Sequence, residues 1–138
     1  MSDDGIQYSE RRDLPREQVL ALYRAVAWSA ARKPEPLLKG LSNSDSLITA
    51  WDEGRLVGLG NAISDGHLVV YYPHLLVRPD YQGKGVGSKI VRRLMEKYSG
   101  FHQQMVVADG KATEFYRKCG FRRAGRTESM WIYAGQDH

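Results

Sequence analysis

Apolar residues recur along the chain with two periods, which predict helices in some segments and strands in others. The clearest helical period lies in the second half of the chain, at Val86, Ile90, Val91, Leu94 and Tyr98. We therefore predict an amphipathic helix over residues 86–98. The same period in the first half predicts a helix over 16–29, and two prolines separate it from a short helix over 37–41.

Shorter apolar runs predict the strands. They lie at residues 6–12, 47–51, a run ending at Ile63, 67–77, 104–108, and a final pair formed by Phe121 and 129–133. Asp65-Gly66 is a hairpin signal, and 111–118 predicts one more helix. Strands that first meander and then alternate with helices are typical of a mixed sheet of the α/β or α+β class.

Residues 75–88 combine an apolar strand, a proline turn, three alternate glycines and the start of a helix. The glycines are Gly83, Gly85 and Gly87. Glycine lets a ligand approach the backbone closely, and the amides and dipole at a helix N-terminus attract an anion. Lys84, Lys89 and the Ser88 hydroxyl add donors. The segment therefore predicts a pocket for a pyrophosphate-sized group.

This loop differs from the two commonest phosphate-binding motifs. No window supplies the GxxxxGK[ST] of a P-loop, and GxGxxG fails because Ser88 stands at its last glycine position. A dinucleotide-binding protein stays open as an alternative. Asp109 lies downstream of Gly85 near the distance, roughly 20 residues, at which an acidic residue can hold a ribose.

Residues 82–87, QGKGVG, resemble the Q/R-x-x-G-x-G/A signature of GNAT-type N-acetyltransferases, and the preceding LLVRPDY is similar to that superfamily's central strand and its exit. A second block, KATEFYRKCGF, resembles the AxxFYxxxGF segment on the far side of the family's cofactor cleft. Its matching residues are Ala112, Phe115, Tyr116, Gly120 and Phe121. The similarity runs from about residue 47 to 133. The chain resembles small single-domain bacterial members, and its SMWIY ending is similar to the arylalkylamine or serotonin acetyltransferase-like branch.

The resemblance implies a fold and a reaction. The expected fold is one α/β (mixed α+β) domain over residues 1–138, with a central, mostly antiparallel, splayed sheet of six to seven strands and about four helices. The expected activity is direct transfer of the acetyl group of acetyl-CoA to a primary amine, on a small molecule, a peptide or a protein. A non-catalytic coenzyme A-binding sensor or interaction module is the second hypothesis, because the central strand carries no carboxylate.

The resemblance also implies roles for individual residues. Those expected to bind the cofactor are Leu75, Leu76, Val77, Gln82, Gly83, Lys84, Gly85, Val86, Gly87 and Ser88. The backbone of 75–77 pairs with the pantetheine arm in such enzymes, which requires it to separate from the strand over 104–108. Tyr116 is expected to protonate the departing thiolate, because a phenol with a pKa of about 10 is protonated at neutral pH.

The general base stays open at this point. The stretch YYPHLLV lacks the glutamate that many relatives carry, and His74, with a reference pKa of about 6.5, is the nearest titratable side chain. Strand alternation places His74 and Leu76 on one face of the sheet and residues 75 and 77 on the other. Asp109 and a water relay are the competing hypotheses. Pro73 cannot donate to a ladder and marks an edge, a bulge or a place where pairing breaks, and a break fits a splayed sheet.

Two further sets of residues invite a functional interpretation. Trp28, Tyr71, Tyr72 and Trp131 are candidates for an aromatic amine pocket, although aromatic residues at these spacings more often belong to the core. Cys119 is the only cysteine. Near the C-terminal end of a predicted helix its thiolate is disfavoured, so we interpret it as a small buried apolar residue and not as an acyl carrier.

Composition narrows the class of protein. At 138 residues, 42% of them hydrophobic, the chain can form one core, and a lone cysteine with no Cys/His cluster predicts neither a disulfide nor a metal site. No apolar run reaches about 18 residues and the N-terminus lacks a signal-peptide core, so we expect a cytoplasmic protein. The net charge of +4 suits an anionic cosubstrate, and we expect no nucleic-acid or membrane partner. Relatives of this type suggest a homodimer.

Overall fold

A computed structural model describes residues 5–135, so the predicted domain bounds of 1–138 include ends, 1–4 and 136–138, that lie outside the described residues. The strands are β1 (Ile6–Ser9), β2 (Ser46–Asp52), β3 (Arg55–Ser64), β4 (Val69–Tyr71), β5 (Leu75–Val77) and β6 (Gln103–Met105). The helices are α1 (Arg16–Ala25), α2 (Pro34–Ser42), α3 (Val86–Glu96) and α4 (Ala112–Lys118), with 3₁₀ turns at Ser29–Arg32 and Pro79–Tyr81. The described residues therefore confirm the predicted mixed α/β class with a six-stranded sheet.

The long strand β3 organises the sheet. It pairs antiparallel with β2 on one side, and β2 pairs antiparallel with β1. On its other side β3 pairs first with β5 and further along with β4, so these two short strands share one edge. They are the halves of the strand predicted over 67–77, interrupted at Pro73. The predicted break at this proline is confirmed.

The sheet opens beyond this break. β4 runs parallel to β6, with Tyr71 opposite Met105, and the Tyr72 amide still donates to the Met105 carbonyl at 3.0 Å. β5 pairs with β3 and with no other strand of residues 5–135. We call the gap between β5 and residues 106–108 the sheet opening. It confirms the separation of strands that the splayed-sheet prediction requires.

Helices cover the two faces of the sheet with separate apolar clusters. One cluster lies under α1 and α2 and includes Val19, Leu22, Tyr23, Leu37, Leu41, Leu59 and Leu76. The other lies under α3 and includes Ile48, Val57, Val70, Val86, Ile90, Leu94 and Tyr98, with Leu75 and Val77 packed against it. The predicted alternation along β5 is thus confirmed, and the backbone of β5 lies between the two helical layers.

The first helix is shorter than predicted. It ends at Ala25 and not at Ser29, because Ala27 adopts a left-handed φ of 59° that no α-helix continues. The Trp28 amide then donates to the Tyr23 carbonyl at 3.1 Å. This turn redirects the chain into the 3₁₀ turn and brings the Trp28 ring back against Tyr23, with the ring centroids 5.9 Å apart.

The strand predicted over 129–133 is wrong. Within the described residues this segment has no strand partner, and Met130 and Ile132 are 92% and 106% exposed. A short run of apolar and aromatic residues favours a strand, but a strand also needs a partner edge. Instead Trp131 and Tyr133 stack on each other, with ring centroids 4.2 Å apart. Phe121, also predicted to lie in a strand, follows α4 as a loop residue and packs edge-to-face on Tyr72 and Tyr116.

Candidate active site

The glycine-rich loop shapes the start of α3 as predicted. Gly83 and Gly85 have φ values of 77° and 87°, which only glycine adopts without strain, and Gly85 caps the helix. The first turn of α3 contains no acidic residue. The first amides of a helix have no partner within it, so here they form a cradle suited to an anion. Phe115 of α4 packs over this turn, since a Cβ on Gly87 would lie 3.5 Å from its ring.

Every second residue of β5 points its backbone N–H and C=O groups towards the sheet opening. The Arg78 amide donates to Val57 and the His74 carbonyl accepts from Asn61, so the even-numbered residues, including Leu76, point their backbone groups at β3. The amides of Leu75 and Val77 therefore point the other way. Gln82 donates its side-chain Nε2 to the Val77 carbonyl at 2.9 Å and ties the glycine-rich loop to the end of β5.

The three predicted side-chain donors have other neighbours, and the Lys89 ammonium lies 5.8 Å from the centroid of the Tyr8 ring. The Lys84 ammonium lies 5.5 Å from the centroid of the Tyr81 ring and borders a surface depression with Asp52 and Asp80. The Ser88 hydroxyl hydrogen-bonds to the Cys119 thiol. The cradle is thus formed by the backbone amides at the start of α3. The side chains of Lys84 and Ser88 instead contact the turn before α3 and the end of α4.

Tyr116 lies on α4 beside the sheet opening. Its ring packs edge-to-face on Phe115 and Phe121, at centroid distances of 5.1 and 5.6 Å. Burial, together with the nearby Cys119 and Tyr71, raises the pKa of Tyr116 to about 12. Phe121 packs on both Tyr116 and Tyr72, so Tyr116 lies near the end of β4, where the opening begins. The phenol keeps its proton at neutral pH.

His74 lies on the other face of the sheet, directly before β5. Its Nδ1 is 2.7 Å from the Tyr23 hydroxyl, and the Trp28 ring packs edge-on against the imidazole at a centroid distance of 5.3 Å. The Asn61 side chain accepts from the His74 amide at 3.0 Å, which fixes the backbone at the break. Burial raises the pKa of Tyr23, so it remains a neutral phenol against the imidazole.

Sequence reasoning missed Tyr23 and Asn61. Tyr23 fits the apolar repeat of α1 and gives no sign of a polar contact, because its partner lies 51 positions further along the chain. Asn61 is a buried polar residue inside an apolar strand, 5% exposed. A polar side chain in such a run is the one signal that could have pointed to it, since buried amides need hydrogen-bond partners.

A cavity of about 300 Å³ adjoins His74, between α2 and the sheet. We call it the α2 cavity. Its lining consists of Ala30, Lys33, Pro36, Leu37, Gly40, Leu41, Asn61, Ile63, Pro73 and His74. Pro73 and His74 also lie between Tyr72, the last residue paired with β6, and the start of β5. This is where the sheet opening begins, so the cavity and the opening are neighbours. This arrangement can hold a second small molecule next to one bound along β5.

The other candidate site residues from the sequence, the aromatic residues, Cys119 and Asp109, lie apart from one another. Trp28 contacts His74, whereas Tyr72 is buried under α3 and donates to Gln104, so the four predicted aromatic residues do not form one pocket. Trp131 is 64% exposed. Cys119 is half-buried rather than fully buried, and burial raises the pKa of its thiol. Asp109 is exposed, and its carbonyl accepts from the Ala112 amide at the start of α4.

Comparison with known proteins agrees with this geometry. A family model described as an acetyltransferase (GNAT) domain matches residues 43–123, more than half of the chain. A GNAT-family acetyltransferase structure from Streptococcus pneumoniae superposes with a TM-score of 0.81 at 30% identity, covering 94% of this chain and 98% of that one. The fold is therefore that of an acetyltransferase domain. The chain belongs to the GNAT acetyltransferase family.

Curated relatives are longer proteins. The chain is 29% identical over 133 residues to GCN5-related N-acetyltransferase 3, chloroplastic, of Arabidopsis thaliana, covering 94% of this chain and 54% of that protein. It is 35% identical over 74 residues to histone acetyltransferase TAP1 of Glycine max, covering 51% of this chain and 31% of that protein. The chain thus covers less than two thirds of the length of either relative. Among residues 5–135, no helix has the length and apolar character that a membrane span requires.

Proposed function

We propose that the chain catalyses transfer of an acetyl group from acetyl-CoA to a primary amine, directly between two substrates held on opposite faces of the sheet. The observation that carries this proposal is the sheet opening, with the α3 cradle on one side and the α2 cavity on the other. The residues present fit an acyl-CoA. An amide cradle suits the diphosphate, and the outward amides of Leu75 and Val77 suit a pantetheine arm.

The chain's own residues supply what the reaction needs. Acetyl-CoA supplies a thioester whose carbonyl carbon bonds the amine nitrogen as the carbon–sulfur bond breaks. A backbone amide of β5 polarises that carbonyl. Tyr116 donates a proton to the leaving sulfur. The product nitrogen loses a proton to solvent, and solvent returns a proton to Tyr116.

His74 takes the proton that the ammonium form of the acceptor must lose. Tyr23 lies 2.7 Å from Nδ1, and in the tautomer that leaves the other ring nitrogen basic, Nδ1–H donates to the Tyr23 oxygen. Trp28 and Asn61 hold the ring and its backbone in place. A general base positioned in this way contributes about 10²-fold or more to the rate.

Amide hydrogen exchange measured by NMR tests where acetyl-CoA binds. In the free protein we expect slow exchange at Leu76, which pairs with β3, and fast exchange at Leu75 and Val77. Acetyl-CoA should slow exchange at the latter two and leave Leu76 unchanged. Protection elsewhere without any change along β5 would exclude the proposed position.

Release of coenzyme A thiol across a panel of amines then tests catalysis. Turnover that requires both acetyl-CoA and an amine supports an enzyme. Calorimetric binding of acetyl-CoA without turnover on any amine would favour the sensor or interaction module instead. A thermal shift with NAD but not with coenzyme A would favour the dinucleotide-binding alternative.

A further inference from the structure

Among residues 5–135, the α2 cavity is lined by one charged side chain and by no carboxylate. Its walls are mainly apolar, and its buried amide, Asn61, already donates to Ser44 at 2.9 Å and accepts from the His74 amide at 3.0 Å. Lys33 lies at the rim, is exposed, and has no carboxylate partner within residues 5–135. Glu35, two positions further on, pairs with Arg16 on α1. The charge that an acceptor meets here is therefore positive.

This charge acts on both ends of an acceptor. It attracts an anionic group on the acceptor body and repels a second cation, so a lysine-rich peptide is a poor match. It also disfavours the ammonium form of the reacting amine, as does the apolar lining, and both effects lower the amine pKa. A weaker base then suffices, which fits a central strand that lacks a carboxylate beside His74.

We propose that the acceptor is a small primary amine whose apolar body also carries an anionic group, and that Lys33 recognises that group. The inference rests on the proposed function, because it names the acceptor of the same site. The volume of about 300 Å³ lies at the small end of ligand pockets, which suits a compact molecule. The apolar walls contact the body, His74 faces the amine, and Lys33 at the rim faces the anion.

Three matched amines test the proposal. They are 4-(aminomethyl)benzoate, 4-(aminomethyl)benzamide and 4-(aminomethyl)benzylamine, which share one body and differ in remote charge. We expect kcat/KM to fall in that order, by about tenfold from the anionic to the cationic compound, and the difference to shrink as salt is raised. Lys33→Glu should reverse the order. Lys39→Glu makes the same charge change on α2 outside the cavity lining and should leave the order intact.

Each outcome decides between the inference and the function on which it rests. Turnover with a flat or inverted order in the native chain, or an order that Lys33→Glu leaves unchanged, would overturn the role of Lys33. Acetylation of a lysine-rich peptide but of none of the three amines would overturn the acceptor class while the acetyltransferase function stands. Failure of acetyl-CoA to bind in calorimetry, or to support turnover on any amine, would overturn the proposed function itself. Melting temperatures of both variants verify that they fold.

Discussion

At the scale of single residues, Tyr116 combines two properties that a proton donor needs. It lies near the start of the sheet opening, and burial raises its pKa to about 12, so its phenol is protonated throughout the physiological range. Tyr116→Phe keeps the ring packing on Phe115 and Phe121 and removes only the hydroxyl group. We expect kcat to fall by about 10²-fold, at the low end for general acids because a thiolate leaves readily. Steady-state kinetics with coenzyme A release measure this.

The pH dependence of the same reaction provides a second measurement. Because the pKa is raised, the phenol loses its proton only at high pH, and kcat/KM should show no decline from Tyr116 below about pH 11. Tyr71→Phe is the matched control, since it removes a neighbouring phenol and should leave kcat within about twofold. Equal kcat for Tyr116→Phe and the native chain would remove Tyr116 from the mechanism.

His74 should determine the rise of activity with pH. If its imidazole is the base, kcat/KM rises with pH as the ring loses its proton. His74→Gln should abolish this rise and lower kcat/KM at neutral pH by about 10²-fold. Tyr23→Phe keeps the imidazole but removes its 2.7 Å partner, so the rise should persist with a displaced midpoint.

The alternatives to His74 give different results in the same experiment. A rise that survives in His74→Gln would point to a water relay or to Asp109. Asp109→Asn separates these two, because it removes the carboxylate from an exposed site and leaves the backbone contact with Ala112 unchanged.

At the scale of elements, Gly60 sets the distance between β3 and α3. A Cβ at this position would lie 2.7 Å from Ile90 Cγ2 and 3.1 Å from Leu94 Cδ1. Ile90 is β-branched and buried, so it has little freedom to move. Gly60→Ala should destabilise the fold by about 1–3 kcal/mol, as overpacking does. Because α3 carries the cradle, acetyl-CoA should also bind more weakly.

A glycine without such neighbours provides the control for this prediction. Gly40 lies within α2 and a Cβ there would meet nothing within 4 Å. Gly40→Ala should stabilise the fold by about 0.5–1 kcal/mol through helix propensity. Chemical denaturation measures both variants. Equal stability of Gly60→Ala and the native chain would show that α3 does not contact β3 as closely as described.

Local signals explain which elements could be predicted from the sequence. The helical period of α3, the glycines before it and the proline between β4 and β5 each act over a few residues, and all three predictions hold. The strand over 129–133 fails because a run of apolar and aromatic residues favours a strand but does not specify which strand edge is available to pair with it. The contact of Tyr23 with His74 and the α2 cavity depend on how α1 and α2 pack on the sheet. That packing joins segments far apart in the chain, and no local pattern encodes it.

At the scale of the whole molecule, the sheet separates the groups assigned to the two halves of the reaction. Tyr116 and the cradle lie with α3 and α4, whereas His74 and the α2 cavity lie with α1 and α2. The two sets meet at the sheet opening, where β5 has one free edge. An acyl group bound there is accessible to an amine from the other face without any carrier on the protein.

Direct transfer therefore predicts sequential kinetics. Initial velocities at varied acetyl-CoA and amine should give intersecting reciprocal plots, and intact-mass analysis without amine should find no acetylated protein. Burial raises the pKa of the Cys119 thiol, which disfavours the thiolate that a covalent route would need. Cys119→Ser should then retain kcat within about twofold, since a hydroxyl of similar size keeps the contact with Ser88. Parallel reciprocal plots, together with an acetylated intermediate that disappears in Cys119→Ser, would instead establish Cys119 as an acyl carrier. The sheet opening would then bind acetyl-CoA only, and the amine would react with the acetylated cysteine.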